Sequence, residues 1–92
     1  MVKKCMKFSA TWCGPCKTLE PIFDKVSKMD EFKDVEFIKY DIEEDNADEL
    51  VGKFGIRSVP TLILLDENDT VLKKSIGSIS ESTLIEILNS KA

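Results

Sequence analysis

Two cysteines separated by Gly14 and Pro15 are the feature that most constrains this chain of 92 residues. The residues before them alternate as in a strand, and those after them have the apolar spacing of a helix. Cys13 is therefore predicted at a strand-to-helix junction, where free backbone N–H groups and the helix dipole favour a thiolate. Gly14 permits a tight turn that leaves the sulfur uncovered, and Pro15 suits a first helical turn. Cys16, one turn along, is placed to attack a mixed disulfide formed at Cys13.

Composition excludes several kinds of partner and site. The net charge of −4 argues against nucleic acid and against an anionic membrane surface. The absence of histidine removes every His-based triad and most zinc sites. The N-terminus lacks the apolar run of a signal peptide, and no stretch approaches the ~20 apolar residues of a membrane span. We expect a single domain over residues 1–92, monomeric and cytoplasmic.

Apolar periodicity predicts the element order β-α-β-α-β-β-α. The predicted strands are Val2–Ala10, Val35–Tyr40, Leu62–Leu65 and Thr70–Ile76. In the first strand, one face is expected to carry Val2, Met6, Phe8 and Ala10, and the other Lys3, Cys5, Lys7 and Ser9. The short turn between the last two strands predicts an antiparallel hairpin, with the lysines of the last strand at the edge of the sheet.

The three predicted helices have recognisable ends. The first has an apolar stripe formed by Leu19, Ile22, Phe23, Val26 and Met29, and Pro21 in its interior predicts a kink near Lys17–Leu19. The second is expected to be capped by Asn46, to bury Ala47, Leu50, Val51 and Phe54, and to stop at Gly55. The third is expected to be capped by Ser80 and to bury Leu84, Ile87 and Leu88.

The segment Trp12-Cys13-Gly14-Pro15-Cys16-Lys17 resembles the active-site motif of thioredoxins, and the similarity continues through Phe54–Thr61 to Gly77. The resemblance implies a thioredoxin-like α/β fold with a four-stranded mixed sheet of order 2-1-3-4 and helices on both faces. Thioredoxins have a further strand and helix before the strand that leads to the cysteines. One face of the sheet is therefore expected to have a thinner cover here.

The resemblance also implies a function. The chain would be a protein-disulfide oxidoreductase, with Cys13 as nucleophile, Cys16 as resolving residue and Trp12, Gly14 and Pro15 supporting the motif. It would need no bound cofactor or metal. Its partners would be disulfide-containing proteins and, as electron donor, a flavoprotein of the thioredoxin-reductase type. Its roles would be electron transport and cell redox homeostasis.

Further site residues follow from the same resemblance. The Val59–Pro60 bond is expected to be cis, as in the matching thioredoxin segment. The substrate groove would be lined by Trp12, Ile56, Val59, Pro60, Thr61 and Gly77. Lys39 matches a lysine that approaches a buried carboxylate in thioredoxins, but that carboxylate is replaced here by Lys7. A cation behind Cys16 favours the thiolate and makes the pair more oxidising, unless its ammonium group reaches water.

Three alternatives to this interpretation stay open at this point. The two cysteines can form half of a zinc site, with Cys5 and carboxylates completing it. A glutaredoxin-like, glutathione-dependent reductase fits the short length, although Gly14-Pro15 between the cysteines is typical of thioredoxins. The same surface can also serve as a partner-binding module without redox chemistry. Cys5 itself is most simply a small buried hydrophobic residue.

Overall fold

The computed structural model of the protein describes residues 1–90, which form one four-stranded mixed sheet of order β2-β1-β3-β4. The strands are β1 (Lys4–Ser9), β2 (Glu36–Asp41), β3 (Thr61–Leu65) and β4 (Val71–Ile76). β1 runs parallel to β2 and antiparallel to β3, and β3 pairs antiparallel with β4. The predicted sheet order is confirmed, and so is the hairpin that places β4 at an edge.

Three α-helices accompany the sheet: α1 (Gly14–Ser27), α2 (Asp48–Phe54) and α3 (Glu81–Leu88). Ser80 caps α3, since its Oγ accepts a hydrogen bond from the N–H of Thr83 at 3.1 Å. Gly55 ends α2 in the left-handed conformation at φ 62°. Both of these ends are confirmed. α1 is continuous through Pro21, and the kink expected there stays a prediction.

The start of α2 differs from the prediction. Its N-cap is Ala47, which provides no side-chain hydrogen bond, so the proposed Asn46 cap is wrong. The reason is a short 3₁₀ helix, Asp45–Ala47, that leads directly into α2. The chain is thus already helical where a capping residue would need an extended backbone. A second 3₁₀ helix, Asp30–Phe32, follows α1 and was not predicted.

The central strand β1 is buried on both faces. Cys5 and Lys7 are 0% exposed, although the alternation suggested a polar face. Cys5 packs in a cluster with residues of α1 and α3, whereas Met6 and Phe8 pack on the opposite face, where α2 supplies Leu50, Val51 and Phe54. Within residues 1–90, only α2 contributes helical residues to that second cluster, and this face therefore has the smaller helical cover.

Two details of the sheet correct the sequence interpretation. Val2 precedes β1 and packs with Cys5, not with Met6 and Phe8 as the simple alternation predicted. The pairing of β3 with β4 shifts register between Leu64 and Leu65: Leu64 pairs with Lys73 and Leu65 with Val71, so Leu72 is an extra residue on β4, as in a β-bulge, and the sequence did not reveal it. Because a bulge changes which residues share a face, alternation along β4 alone could not assign its buried side.

Two glycines of the α2 region provide a matched test of this geometry. Gly55→Ala places a side chain at φ 62°, and we expect it to destabilise the protein by about 1–2 kcal/mol. Gly52→Ala lies inside α2, where the added Cβ meets nothing within 4 Å apart from its chain neighbours and its own helix backbone, and it is expected to stabilise the protein by about 0.5–1 kcal/mol. Urea unfolding measures both values. Two changes of the same sign would contradict the assigned end of the helix.

Cys5 provides a second test, because its burial raises the pKa of the thiol to about 12. A protonated thiol with 0% exposure should not react with an alkylating reagent in the folded protein at neutral pH. After full reduction, mass spectrometry is expected to find Cys5 unmodified in buffer and modified in denaturant. Rapid labelling of Cys5 in buffer would show that β1 is not the buried centre of the sheet.

Candidate active site

The two motif cysteines lie at the N-terminal end of α1, as predicted. Cys13 is the N-cap residue, and its Sγ accepts a hydrogen bond from the N–H of Cys16 at 3.1 Å. Pro15 occupies the first turn of the helix. Cys13 and Cys16 form a disulfide with 5.3 Å between their Cα atoms. One sulfur is thus held where the free N–H groups of a helix point, and the other is in bonding contact with it.

Cys13 is less accessible than the sequence suggested, since both cysteines are only 4% exposed. They pack with Ala10, and Val59 and Ile42 lie against this small cluster. Cys13 Sγ is 3.6 Å from the carbonyl oxygen of Val59, and in the reduced protein the thiol can donate a hydrogen bond there. The expectation of an uncovered sulfur is therefore wrong, because a loop distant in sequence packs over it.

That loop contains the Val59–Pro60 peptide bond, which is cis as expected. The Pro60 carbonyl accepts a hydrogen bond from the N–H of Gly77 at 2.8 Å, which holds the end of β4 beside it. Thr61 is fully buried, and its hydroxyl donates to the carbonyl of Ser58 at 2.8 Å. Ile56 belongs to the core cluster beneath the sheet, with 9% of its surface exposed. Their side chains therefore support the loop more than they line its surface.

An exposed apolar surface remains around the cysteines. Trp12 is 66% exposed and Ile76, next to Gly77, is 64% exposed. Val59 is half-buried and packs against the cysteines. Sequence reasoning assigned Ile76 only to a strand and missed its exposure. The available signal was its position as the last residue of an edge strand, immediately before a glycine.

Lys7 of β1, which was expected behind Cys16, has a completely buried side chain that forms an ion pair with Glu20 of α1. Its Nζ also lies 5.1 Å from the centre of the Phe23 ring. The alternative in which this ammonium group reaches water is therefore excluded. Sequence reasoning did not identify Glu20, although its position four residues after Cys16 places both on one helix face.

Glu20 also pairs with Lys39 of β2, and Lys39 lies 2.6 Å from Asp24. Hydrogen bonds from Lys39 and from Lys7 hold the pKa of Glu20 below its usual range. Hydrogen bonds to Asp24 and to Glu20 raise the pKa of Lys39. Two lysines and two carboxylates thus form one charge-balanced network. We call it the α1 ion network; it consists of Lys7, Glu20, Asp24 and Lys39.

A cavity of about 280 Å³ lies beside Cys16. Its walls include Cys16, Lys17 and Glu20 of α1, the segment 9–11, and Asp41 at the end of β2. Near its rim, the Thr11 hydroxyl donates to Glu43 at 3.2 Å. The cavity therefore brings a cysteine of the pair and a carboxylate of the α1 ion network to the same small volume.

Two further findings concern metal sites and membrane-spanning helices. Within residues 1–90, no group of three or more His, Cys, Asp or Glu side chains is arranged to hold a metal ion. None of the helices in this described part of the chain has the length and apolar character needed to cross a membrane.

Comparison with known proteins identifies relatives of this chain. The thioredoxin family model matches residues 2–90. The thioredoxin of Mycoplasmoides gallisepticum is 41% identical over 86 residues, which are 94% of this chain and 81% of that protein. The thioredoxin of Bacillus subtilis is 35% identical over 82 residues, 89% of this chain and 75% of that protein.

The solved structures agree with the sequence comparison. The crystal structure of a Malassezia sympodialis thioredoxin superposes with a TM-score of 0.81 at 30% identity, over 97% of this chain and 75% of that one. A thioredoxin from Nicotiana alata gives a TM-score of 0.78 at 31% identity, over 96% of this chain and 73% of that one. Because the family model, the sequence relatives and the solved structures all agree over most of its length, the chain belongs to the thioredoxin family and is a thiol-disulfide oxidoreductase.

Proposed function

We propose that the protein reduces disulfides of other proteins, with Cys13 as the attacking nucleophile and Cys16 as the resolving residue. The observation that carries this assignment is the position of Cys13 Sγ at the start of α1, where it accepts the Cys16 N–H. A negative charge on that sulfur is stabilised by the N–H group and by the helix dipole. Cys16 lies one turn inside the helix and has no equivalent position.

The reaction consists of two thiol–disulfide exchanges. The Cys13 thiolate attacks one sulfur of the substrate disulfide, forms a mixed disulfide and releases the first substrate thiolate. Cys16, as a thiolate, then attacks Cys13 Sγ, breaks the mixed disulfide and releases the second. Two electrons pass to the substrate, and the enzyme is left with the Cys13–Cys16 disulfide. A flavoprotein of the thioredoxin-reductase type is the proposed donor that reduces this disulfide again.

The proposed substrate surface surrounds the cysteines. Trp12, Val59 and Ile76 supply exposed apolar area, and Gly77 leaves room for a polypeptide beside them. Pro60, with Ile56 and Thr61 behind it, fixes the backbone of the loop against Cys13. Such a surface suits a loosely extended peptide around a disulfide and requires no deep pocket for a particular side chain.

We further propose a setting for this activity. A single domain over residues 1–92, of which the last two lie outside the described residues, would act as a cytoplasmic monomer in electron transport and redox homeostasis. Support comes from the match of the family model to residues 2–90. The negative net charge of −4 gives no basis for a nucleic-acid role.

Substitution of each cysteine tests the assigned roles. The wild-type protein is expected to catalyse the reduction of insulin by dithiothreitol. Cys16→Ser should accumulate a mixed disulfide through Cys13, because the resolving thiol is missing, and Cys13→Ser should accumulate none. Mass spectrometry of the trapped species identifies the bonded cysteine. Cys5→Ser is the matched control and should retain insulin reduction, whereas trapping through Cys16 would reverse the assigned roles.

Lys7 is proposed to tune the reduction potential of the pair, and its substitution measures the effect. A cation near the dithiol stabilises the thiolate and hence the reduced form, so the potential should fall in the order wild type, Lys7→Met, Lys7→Asp. The ion pair with Glu20 offsets part of this charge. We therefore expect a total difference of about 30 mV, which corresponds to about 1.4 kcal/mol for two electrons. Equilibration with a glutathione couple measures each value, and a potential that rises toward Asp would contradict the role.

A further inference from the structure

The second exchange of the proposed reaction requires that Cys16 lose its proton. A thiol is a poor nucleophile, and its usual pKa of about 8.5 leaves it mostly protonated at neutral pH. Cys16 is only 4% exposed, so few water molecules can contact its sulfur directly. Cys16 is one of the residues that line the 280 Å³ cavity. A proton acceptor for Cys16 should therefore be sought on the walls of this cavity.

Two carboxylate residues line these walls, Glu20 and Asp41, and only Glu20 lies on the same helix as Cys16. Cys16 and Glu20 are four positions apart on α1, and side chains with that spacing lie one above the other on the same face, with Cβ atoms roughly 5–6 Å apart. Asp41 also lines the cavity, but it belongs to the end of β2 and has no such register with Cys16. Lys17, the cation of this wall, has no proton-accepting role while charged.

The α1 ion network holds Glu20 in this position. One carboxylate oxygen contacts Lys7 on β1 and the other contacts Lys39 on β2. Lys39 is held in turn by Asp24, one further turn along α1. Because both lysines favour the charged form, the pKa of Glu20 is lowered and the carboxylate is available as an acceptor at neutral pH.

We propose that Glu20 accepts the Cys16 thiol proton during resolution of the mixed disulfide, with Lys7 and Lys39 as positioning residues that hold its carboxylate at the cavity wall. This rests on the proposed roles of the two cysteines. The transfer passes through solvent in the cavity and leaves a Cys16 thiolate and a neutral Glu20. The thiolate attacks Cys13 Sγ, the bond from Cys13 to the substrate sulfur breaks, and the departing substrate thiolate receives the proton from Glu20. The carboxylate is then regenerated, and no other reactant is consumed.

The pH response of the step depends on every charged group around Glu20. Lys7 and Lys39 face its two oxygens, Asp24 faces Lys39, and Lys17 and Asp41 share the cavity. Because the Glu20 carboxylate stays ionised throughout the neutral range, its capacity to accept a proton in the second exchange does not change with pH there. Its advantage should shrink as the pH rises past the range of a free thiol, because Cys16 then ionises without help.

The two exchanges can be observed separately in the reduced protein of 92 residues. The protein is mixed with an excess of the chromogenic disulfide dithiobis-nitrobenzoate. Attack by Cys13 releases one coloured thiolate at a rate proportional to the reagent concentration, and attack by Cys16 on the mixed disulfide releases the second at a rate independent of that concentration. Glu20→Gln is expected to leave the first phase unchanged and to slow the second about tenfold at neutral pH, which is less than the roughly hundredfold or more typical of general-base assistance because Glu20 is a weak base. The difference should narrow at alkaline pH.

Matched variants separate proton transfer from loss of structure. Asp41→Asn removes the other carboxylate residue that lines the cavity and leaves the α1 ion network intact, and both of its phases should stay close to wild type. In Glu20→Gln alone, the buried Lys7 loses its counter-ion. The double variant Lys7→Met with Glu20→Gln removes that lysine as well, and its second phase should be as slow as that of Glu20→Gln. Glu20→Asp, which restores a shorter carboxylate, should recover part of the rate.

Three results would overturn the proposal. They are an unchanged second phase in Glu20→Gln, an equal slowing of the second phase in Asp41→Asn, and a slowing in Glu20→Gln that persists undiminished at alkaline pH. Failure of the proposed function looks different, because a wild-type protein in which Cys13 gives no first phase would reject the cysteine roles themselves.

Discussion

The ion pair between Lys7 and Glu20 is the interaction that connects the sheet of this protein to its active site. β1 lies between β2 and β3, and its side chains are covered on both faces, so a lysine there has no access to water. An isolated buried ammonium group is strongly unfavourable, and a counter-ion is required. Glu20 supplies it from α1, the helix that begins at the cysteines. Burial in the sheet thereby fixes a side chain one turn from Cys16.

The elements of the fold were largely predictable because local chemistry agrees with tertiary structure. The capping hydroxyl of Ser80 and the left-handed Gly55 act within a few residues of their own positions, and both were identified. The register shift opposite Leu64–Leu65 and the 3₁₀ helix before α2 were not identified. Each of these depends on how neighbouring segments pack, and the polar residue Asn46 was a plausible cap only in the absence of that information.

The residues of the site also divide into those that could be predicted from the sequence and those that could not. Cys13 and Cys16 were predictable because their function depends on a spacing of three residues within one helix. The cover over Cys13 comes from Val59, 46 positions away, and the ion network joins residues 13 and 19 positions apart. No periodicity signals such pairs. Glu20 and Asp24 read in the sequence as ordinary charges on a helix, where most such residues are simply solvated.

The same network changes how the lysine at position 7 should be understood. Taken alone, it replaces the carboxylate that the family resemblance leads one to expect behind the cysteines, and it reverses the charge there. In the folded protein Lys7 and Lys39 face Glu20 and Asp24, so the four groups balance. The carboxylate of this region is therefore not on the strand but on the helix: it belongs to Glu20, which lines the same cavity as Cys16. The charge at one strand position therefore does not determine the electrostatics of the site; the pairing of that strand with α1 does.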